Sequence, residues 1–206
     1  MAKAASSSTA AKGRGRPREF DMDAALDKSV RVFRERGYHA TSIADLTEAM
    51  ELASGSVYKA FKDKRAVFVA AFDREGRRRG EKLRRLLSSA TSGRDGIRIA
   101  LTFYADSSHG VEGRQGCLIV GTAAELATLD AEVAQRVTAA LRDSERLMVD
   151  LIHQGRADGS IPATIDSKVT ARLILCLLQG MRVIGKTGRK RAAMRAVADA
   201  AMKLLG

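Results

Sequence analysis

The sequence predicts an all-α fold, and three observations lead there. Only Pro17 and Pro162 interrupt the 206 residues, so long stretches are free to be helical. Aromatic residues make up 4% of the chain and Trp is absent, and the dense turn signals and β-branched alternation of a sandwich or barrel are missing. Apolar residues recur instead at three- and four-residue spacing along most of the chain. With 45% hydrophobic and 29% charged residues, the chain can bury a real core, as one domain or as a small domain joined to a larger one.

Charge and cysteine usage narrow the partners. Thirty-six Lys and Arg against 24 Asp and Glu give a formal charge of +12. That excess favours nucleic acid or an anionic membrane surface, although a merely basic protein has the same balance. Cys117 and Cys176 are too few and too far apart for a disulfide framework or a zinc site, so no metal or other cofactor is expected, and a reducing cytoplasm is the expected compartment. No apolar run, Leu173 to Leu178 included, approaches the ~20 residues of a membrane span.

Met1 to Arg18 contain no acidic residue and are rich in Ala, Ser, Gly and Arg. Residues 1–18 are therefore expected to form a disordered basic arm. A transit peptide has similar composition, but this segment lacks an amphipathic apolar face. Arg14, Arg16 and Arg18, spaced by Gly15 and Pro17, suit the narrow minor groove of A·T-rich DNA, or else form a solvated tail.

From Asp21 the pattern turns helical, with Ala24, Leu26, Val30 and Phe33 facing inward as far as Gly37. Thr41 or Ser42 caps a second, short helix, with Asp45 as a capping-box-like partner of Ser42 and Ile43, Leu46 and Met50 buried. A break at Glu51-Leu52-Ala53 precedes a third helix, Ser54 to Phe61. A fourth carries Val67, Phe68, Ala71 and Phe72 and runs through Leu83 to about Leu87, where Thr91-Ser92-Gly93 makes a break. A fifth follows from Asp95 to about Ser108, and Gly110 to Gly116 is a glycine-rich turn. The sixth helix is Cys117 to Ala127, and Asp130 caps the seventh, which reaches Gly155. The eighth runs from its cap at Asp166 to Gly185, and the ninth ends at Leu205.

Two short helices joined by a three-residue turn, with a longer helix before them, fit a helix-turn-helix or an αα-hairpin inside a bundle. In the first reading Leu46, Met50, Leu52 and Val57 pack the pair together. Ser54, Ser56, Tyr58 and Lys59 project outward to the major groove and its phosphates, and Gly55 allows close backbone approach.

Gly37-Tyr38-His39-Ala40-Thr41-Ser42-Ile43, with Gly55-Ser56-Val57-Tyr58-Lys59-Ala60-Phe61 and Lys62-Asp63-Lys64, closely resembles the signature of the TetR family of bacterial ligand-responsive repressors. The clear match spans Phe20 to Phe72; beyond about Gly80 only the architecture agrees. The resemblance implies a nine-helix homodimer, with residues 19–66 as DNA-binding domain and 67–206 as ligand-binding and dimerisation domain. It implies backbone contacts to double-stranded operator DNA from Ser42, Tyr58 and Lys64, and major-groove approach by Ser54, Ser56 and Lys59. Gly37, Tyr38 and Phe61 take structural roles. Thr47 stands where the family has a small Ala, and Glu51 where its turn usually has Gly. The implied repressor acts in the bacterial cytoplasm, on the nucleoid when bound to DNA.

The resemblance also implies dimerisation through the last two helices. Val169, Leu173, Cys176, Leu177, Gly180, Met181 and Ile184 recur at helical spacing in the eighth, and Met194, Val197, Ala201 and Leu204 in the ninth; an intramolecular stripe reads the same way. For the unknown small-molecule effector, Cys117, Phe103 and Thr122 are the candidate contacts. Cys117 opens a helix after Arg114, a setting that lowers a thiol pKa and resembles thiol-based electrophile sensors of this family, but a free cysteine is also an ordinary small hydrophobe. No glycine-framed nucleophile turn supports a Cys-His hydrolase built on Cys117 with His109 or His153, so no enzyme is expected. A non-specific architectural DNA binder is the alternative to a repressor.

Overall fold

A computed structural model describes residues 20–206, so the basic arm with Arg14, Arg16 and Arg18 lies outside the described residues. The helices are α1 (Met22–Arg36), α2 (Ile43–Met50), α3 (Ser54–Ala60), α4 (Lys64–Leu87), α5 (Gly93–Asp106), α6 (Gly110–Gln115), α7 (Leu118–Glu125), α8 (Ala131–Ala157), α9 (Ser167–Gly185) and α10 (Arg191–Ala201), followed by a 3-10 turn, Met202–Leu205. The nine helices expected are all present. One more, the short α6, occupies the glycine-rich turn, its start marked by Gly110 at φ 60° and its end by Gly116 at φ 85°.

Local chemistry sets most boundaries. Asp21, Ser42, Asp63, Ser92, Asp130 and Asp166 each accept a backbone amide from the first turn they precede. Ser42 and Asp45 complete the reciprocal capping box, whereas the Thr41 hydroxyl turns inward and donates to the Gly37 carbonyl at 2.6 Å. The break expected at Thr91-Ser92-Gly93 is the cap of α5: Ser92 Oγ accepts from the Asp95 amide, and Gly93 is its first helical residue. Gly93 is required for packing, because a Cβ there would lie 2.1 Å from the Gly155 nitrogen on α8.

Two apolar cores result. One joins α1–α4 through Leu26, Val30, Phe33, Leu46, Val57, Val67 and Phe68, and continues into Leu118 and Leu126 of the α7 segment and Val133 and Val137 of α8. The other joins α5, α8, α9 and α10 through Ile97, Leu101, Met148, Ile152, Ile174, Leu178, Met194 and Leu205. Arg65, at the start of α4, ties it to α8 with paired bonds to the Asp130 carboxylate (2.6 and 2.9 Å) and one to Glu132 (2.7 Å). That guanidinium, with the Val133 amide, holds the Asp130 carboxyl at about 2.

Candidate nucleic-acid interface

The pair α2–α3 packs through Leu46, Met50 and Val57, all buried, with Leu52 half-buried between them. The connecting turn closes at Glu51, which has φ 59° and ψ 41° and is the single described non-glycine residue with positive φ. Its carboxylate meets Lys28 of α1 at 2.8 Å, and that ammonium keeps the carboxyl below its usual range. Glu51→Gly is expected to relieve the left-handed strain and raise the melting temperature by about 2–4 °C in high salt, where the Lys28 pair is screened. A lower melting temperature would contradict this. Thr47 satisfies its hydroxyl on its own helix, donating to Ala44 at 2.9 Å.

On the outer side of α3, Ser54, Gly55, Lys59 and Tyr58 (54% exposed) face solvent, and Ser56 is half-buried. A Cβ at Gly55 would meet nothing within 4 Å, so no internal contact requires the glycine. Ser42 is exposed at the start of α2. Lys64, which the family resemblance gives to the DNA backbone, is engaged within the protein. Its Nζ donates to the carbonyls of Tyr38 (3.0 Å) and Thr41 (2.9 Å) and lies 4.3 Å from the centre of the Tyr38 ring, so it braces the α1–α2 turn from within.

This small unit is fastened to the rest of the chain by polar contacts. Glu125, at the end of α7, accepts the amides of Tyr38 (3.0 Å) and His39 (2.6 Å) in the α1–α2 turn. Gly37, at φ 80°, leaves room for that carboxylate, since a Cβ would stand 2.7 Å from Glu125 Oε2. On the other side of α7, the Gly116 carbonyl accepts from Arg34 Nε of α1 at 2.9 Å and from Arg182 Nη2 of α9 at 2.6 Å. Arg34 also donates to the Glu112 carbonyl at 3.0 Å. None of these ties was read from the sequence, although Glu125 is the sole charged residue between Arg114 and Asp130 and Arg182 interrupts an apolar stretch. Glu125→Gln is expected to cost about 1 kcal/mol and to speed hydrogen exchange at Tyr38 and His39. Unchanged protection of those amides would count against the tie.

Two cavities flank these contacts. The larger, about 470 Å³, lies between α4 and α5 and is lined by Phe103, Lys82, Arg98 and Asp106. The second, about 370 Å³, is bounded by α1, α4, α7 and α9 and is lined by Cys117, Thr122, Phe33, Phe68 and Arg182. The three candidate effector contacts therefore do not share one site. Phe103 lines the first cavity, beneath Arg79, whose guanidinium carbon is 4.9 Å from the ring centre. Thr122 is buried and spends its hydroxyl on the Leu118 carbonyl at 2.6 Å. Cys117 is half-buried and is the N-cap of α7, without a side-chain cap bond. His153 is paired with Ser167, 2.8 Å away.

The expected dimer face divides in two. Val169, Leu173, Cys176 and Ile184 on α9 and Val197 on α10 are exposed, with Leu177, Gly180 and Leu204 half-buried. Met181, Met194 and Ala201 are corrections: all three are buried in the protomer's own core. A helix packed against its own protomer carries two apolar stripes, and spacing alone merged them. Val183, 52% exposed, belongs to the outward stripe and was missed.

A helix-turn-helix held on a larger helical body is the arrangement of a DNA-binding protein. Residues 25–71 match the model for bacterial regulatory proteins of the tetR family, and residues 93–201 match the tetracyclin repressor-like C-terminal domain. The chain belongs to the TetR family, and is a sequence-specific DNA-binding transcriptional regulator, not an enzyme. The HTH-type transcriptional repressor ComR of Escherichia coli K12 is 29% identical over 194 residues, covering 94% of this chain and 92% of the relative. The repressor DhaR of Mycobacterium sp. strain GP1 is 27% identical over 172 residues, covering 81% and 82%. A cysteine variant of the TetR family regulator CifR, solved with 26-base-pair operator DNA, superposes with a TM-score of 0.79 at 33% identity, over 91% of this chain and 98% of that one. Reduced NemR of E. coli shares the fold, with a TM-score of 0.76 at 21% identity over 89% and 97%. Among the described residues, no helix is long and apolar enough to cross a membrane.

Proposed function

We propose that the protein is a homodimeric repressor that binds a pseudo-palindromic operator and is released by a small-molecule effector or by modification of Cys117. The observation that carries this reading is the direct fastening of the α1–α2 turn to α7 by Glu125, beside a cavity that also holds Cys117. A change in that cavity has a short mechanical route to the DNA-binding unit. Ser54, Ser56 and Lys59 approach base edges, and Ser42 and Tyr58 meet the backbone. Lys64 acts mainly through the turn that it braces, and Arg14, Arg16 and Arg18 add minor-groove contacts. ComR and DhaR are repressors by name, and CifR was solved on operator DNA, which supports the same role here. Residues 19–66 serve DNA and 67–206 serve effector binding and dimerisation, in the bacterial cytoplasm and on the nucleoid when bound. The test is selection of genomic fragments by the full chain. Enrichment of an inverted repeat, bound about 10³-fold or more over random DNA, is expected. Equal affinity for both would favour a non-specific architectural binder.

A further inference from the structure

The second cavity holds a charge that packing does not explain. Arg182 comes from the last turn of α9 and is 2% exposed. Its Nη2 is used on the Gly116 carbonyl, but Nε and Nη1 have no hydrogen-bond partner among the described residues. Leaving guanidinium donors buried and unmet is costly, and arginine does not escape by losing its proton. Burial pulls the Arg182 pKa down, with Arg34 and Arg79 adding repulsion and the neighbouring Cys117 opposing it. The sulfur nevertheless completes no hydrogen bond to the two free nitrogens.

No acid at hand answers this charge. Of the carboxylates lining the cavity, Glu125 is committed to the Tyr38 and His39 amides and Glu35 to Gln115 Nε2 at 2.9 Å. Glu75 is taken by Arg78 at 2.8 Å, with Arg34 at 3.8 Å, and Glu112 by Arg79 at 3.2 Å. Arg182 itself forms no ion pair among the described residues. The rest of the wall combines apolar Phe33, Phe68 and Leu118 with the cations Arg34, Arg36 and Lys186 around about 370 Å³ of space. An apolar surface beside an unmet polar group is the usual form of a small-molecule site, and the surplus of cations here favours an anion.

We propose that this cavity binds a small organic carboxylate, its head accepting from an unmet N–H of the Arg182 guanidinium and its hydrocarbon part lying against Phe33, Phe68 and Leu118. The inference rests on the effector-released repressor reading and names the chemical class of the effector. A carboxylate brings the negative charge that this buried guanidinium lacks, which the neutral amide of the same shape cannot supply. The ligand would stand between the end of α1 and α7, so its size bears directly on the turn held by Glu125.

The full-length wild-type protein is titrated with benzoate, phenylacetate, hexanoate and octanoate, each beside its primary amide, by calorimetry and thermal shift. At least one acid is expected to bind ~10-fold or more tightly than its amide. Arg182→Gln should bring that acid to the level of the amide, while Arg182→Lys keeps part of the preference. The bound acid should also slow alkylation of Cys117 by iodoacetamide and weaken operator binding by the wild type. Equal affinity for acids and amides, a preference that survives Arg182→Gln, or chloride or phosphate binding better than every acid overturns the proposal. So does an acid that binds and leaves operator affinity unchanged. If Arg182→Gln does not fold, the acid–amide comparison and the Cys117 protection in the wild type decide. Failure of the acid-free protein to bind any operator would instead sink the repressor reading, and the acid–amide comparison would still judge the site.

Discussion

Gly93→Ala is expected to cost about 3 kcal/mol or more and to lower the melting temperature by about 10 °C. The added Cβ would stand 2.1 Å from the Gly155 nitrogen, 2.3 Å from the Leu151 carbonyl oxygen and 2.5 Å from the Gly155 Cα. All three are backbone atoms of α8, so no side chain can rotate away and the two helices must separate. The Gly93 amide also donates to Asp158 at 2.8 Å, a bond that the separation would strain. Gly155→Ala offers a graded control, because its Cβ would press on the Ile161 side chain, with Cδ1 at 2.5 Å, which has some freedom to move. Thermal and urea melts of both variants give the order. A Gly93→Ala protein as stable as the wild type would show that the α5–α8 crossing is not close-packed.

Leu173→Glu combined with Val197→Glu is expected to give a folded monomer. In the protomer Val169 is 63% exposed, Leu173 45%, Ile184 47% and Val197 40%, an apolar band on one side of α9 and α10. Bands of this kind mark association surfaces, and two carboxylates in each of two facing bands would repel across a dry interface. Neither position contributes to the buried core, so folding should be spared. Losing one of two linked recognition units should weaken operator binding by about 10²-fold or more. Cys176, exposed on the protomer, should be shielded from alkylating reagents in the wild type and open in the variant. A dimer that survives both substitutions in light scattering would move the interface elsewhere.

The DNA-binding half was legible because its signals are local. Ser42 and Asp45 three residues apart specify a helix start, and Glu51 stood out in a three-residue turn where the family usually has Gly. Leu46, Met50 and Val57 fell on the buried side for the same reason of short-range spacing. The larger half hid what depends on distant partners. Gly93 reads as a breaker until Gly155, 62 positions along, is seen against it. Met181 and Ile184 share a periodic pattern, but one faces the protomer's core and the other solvent, a difference that tertiary packing alone decides. The Arg34 and Arg182 contacts with Gly116 join segments 66 to 82 residues apart and leave no periodic trace.

The Gly116 carbonyl has a larger consequence than its two hydrogen bonds. Arg34 belongs to the helix that supports the reading head, and Arg182 to α9, which carries the exposed apolar band. Because α1 and α9 share this one acceptor, a tilt of that peptide group is expected to change the angle between the two reading heads of a dimer, and with it the spacing of the half-sites they can span. Substitutions that retune operator spacing should therefore be sought around residues 112–117 as well as on the face that meets DNA.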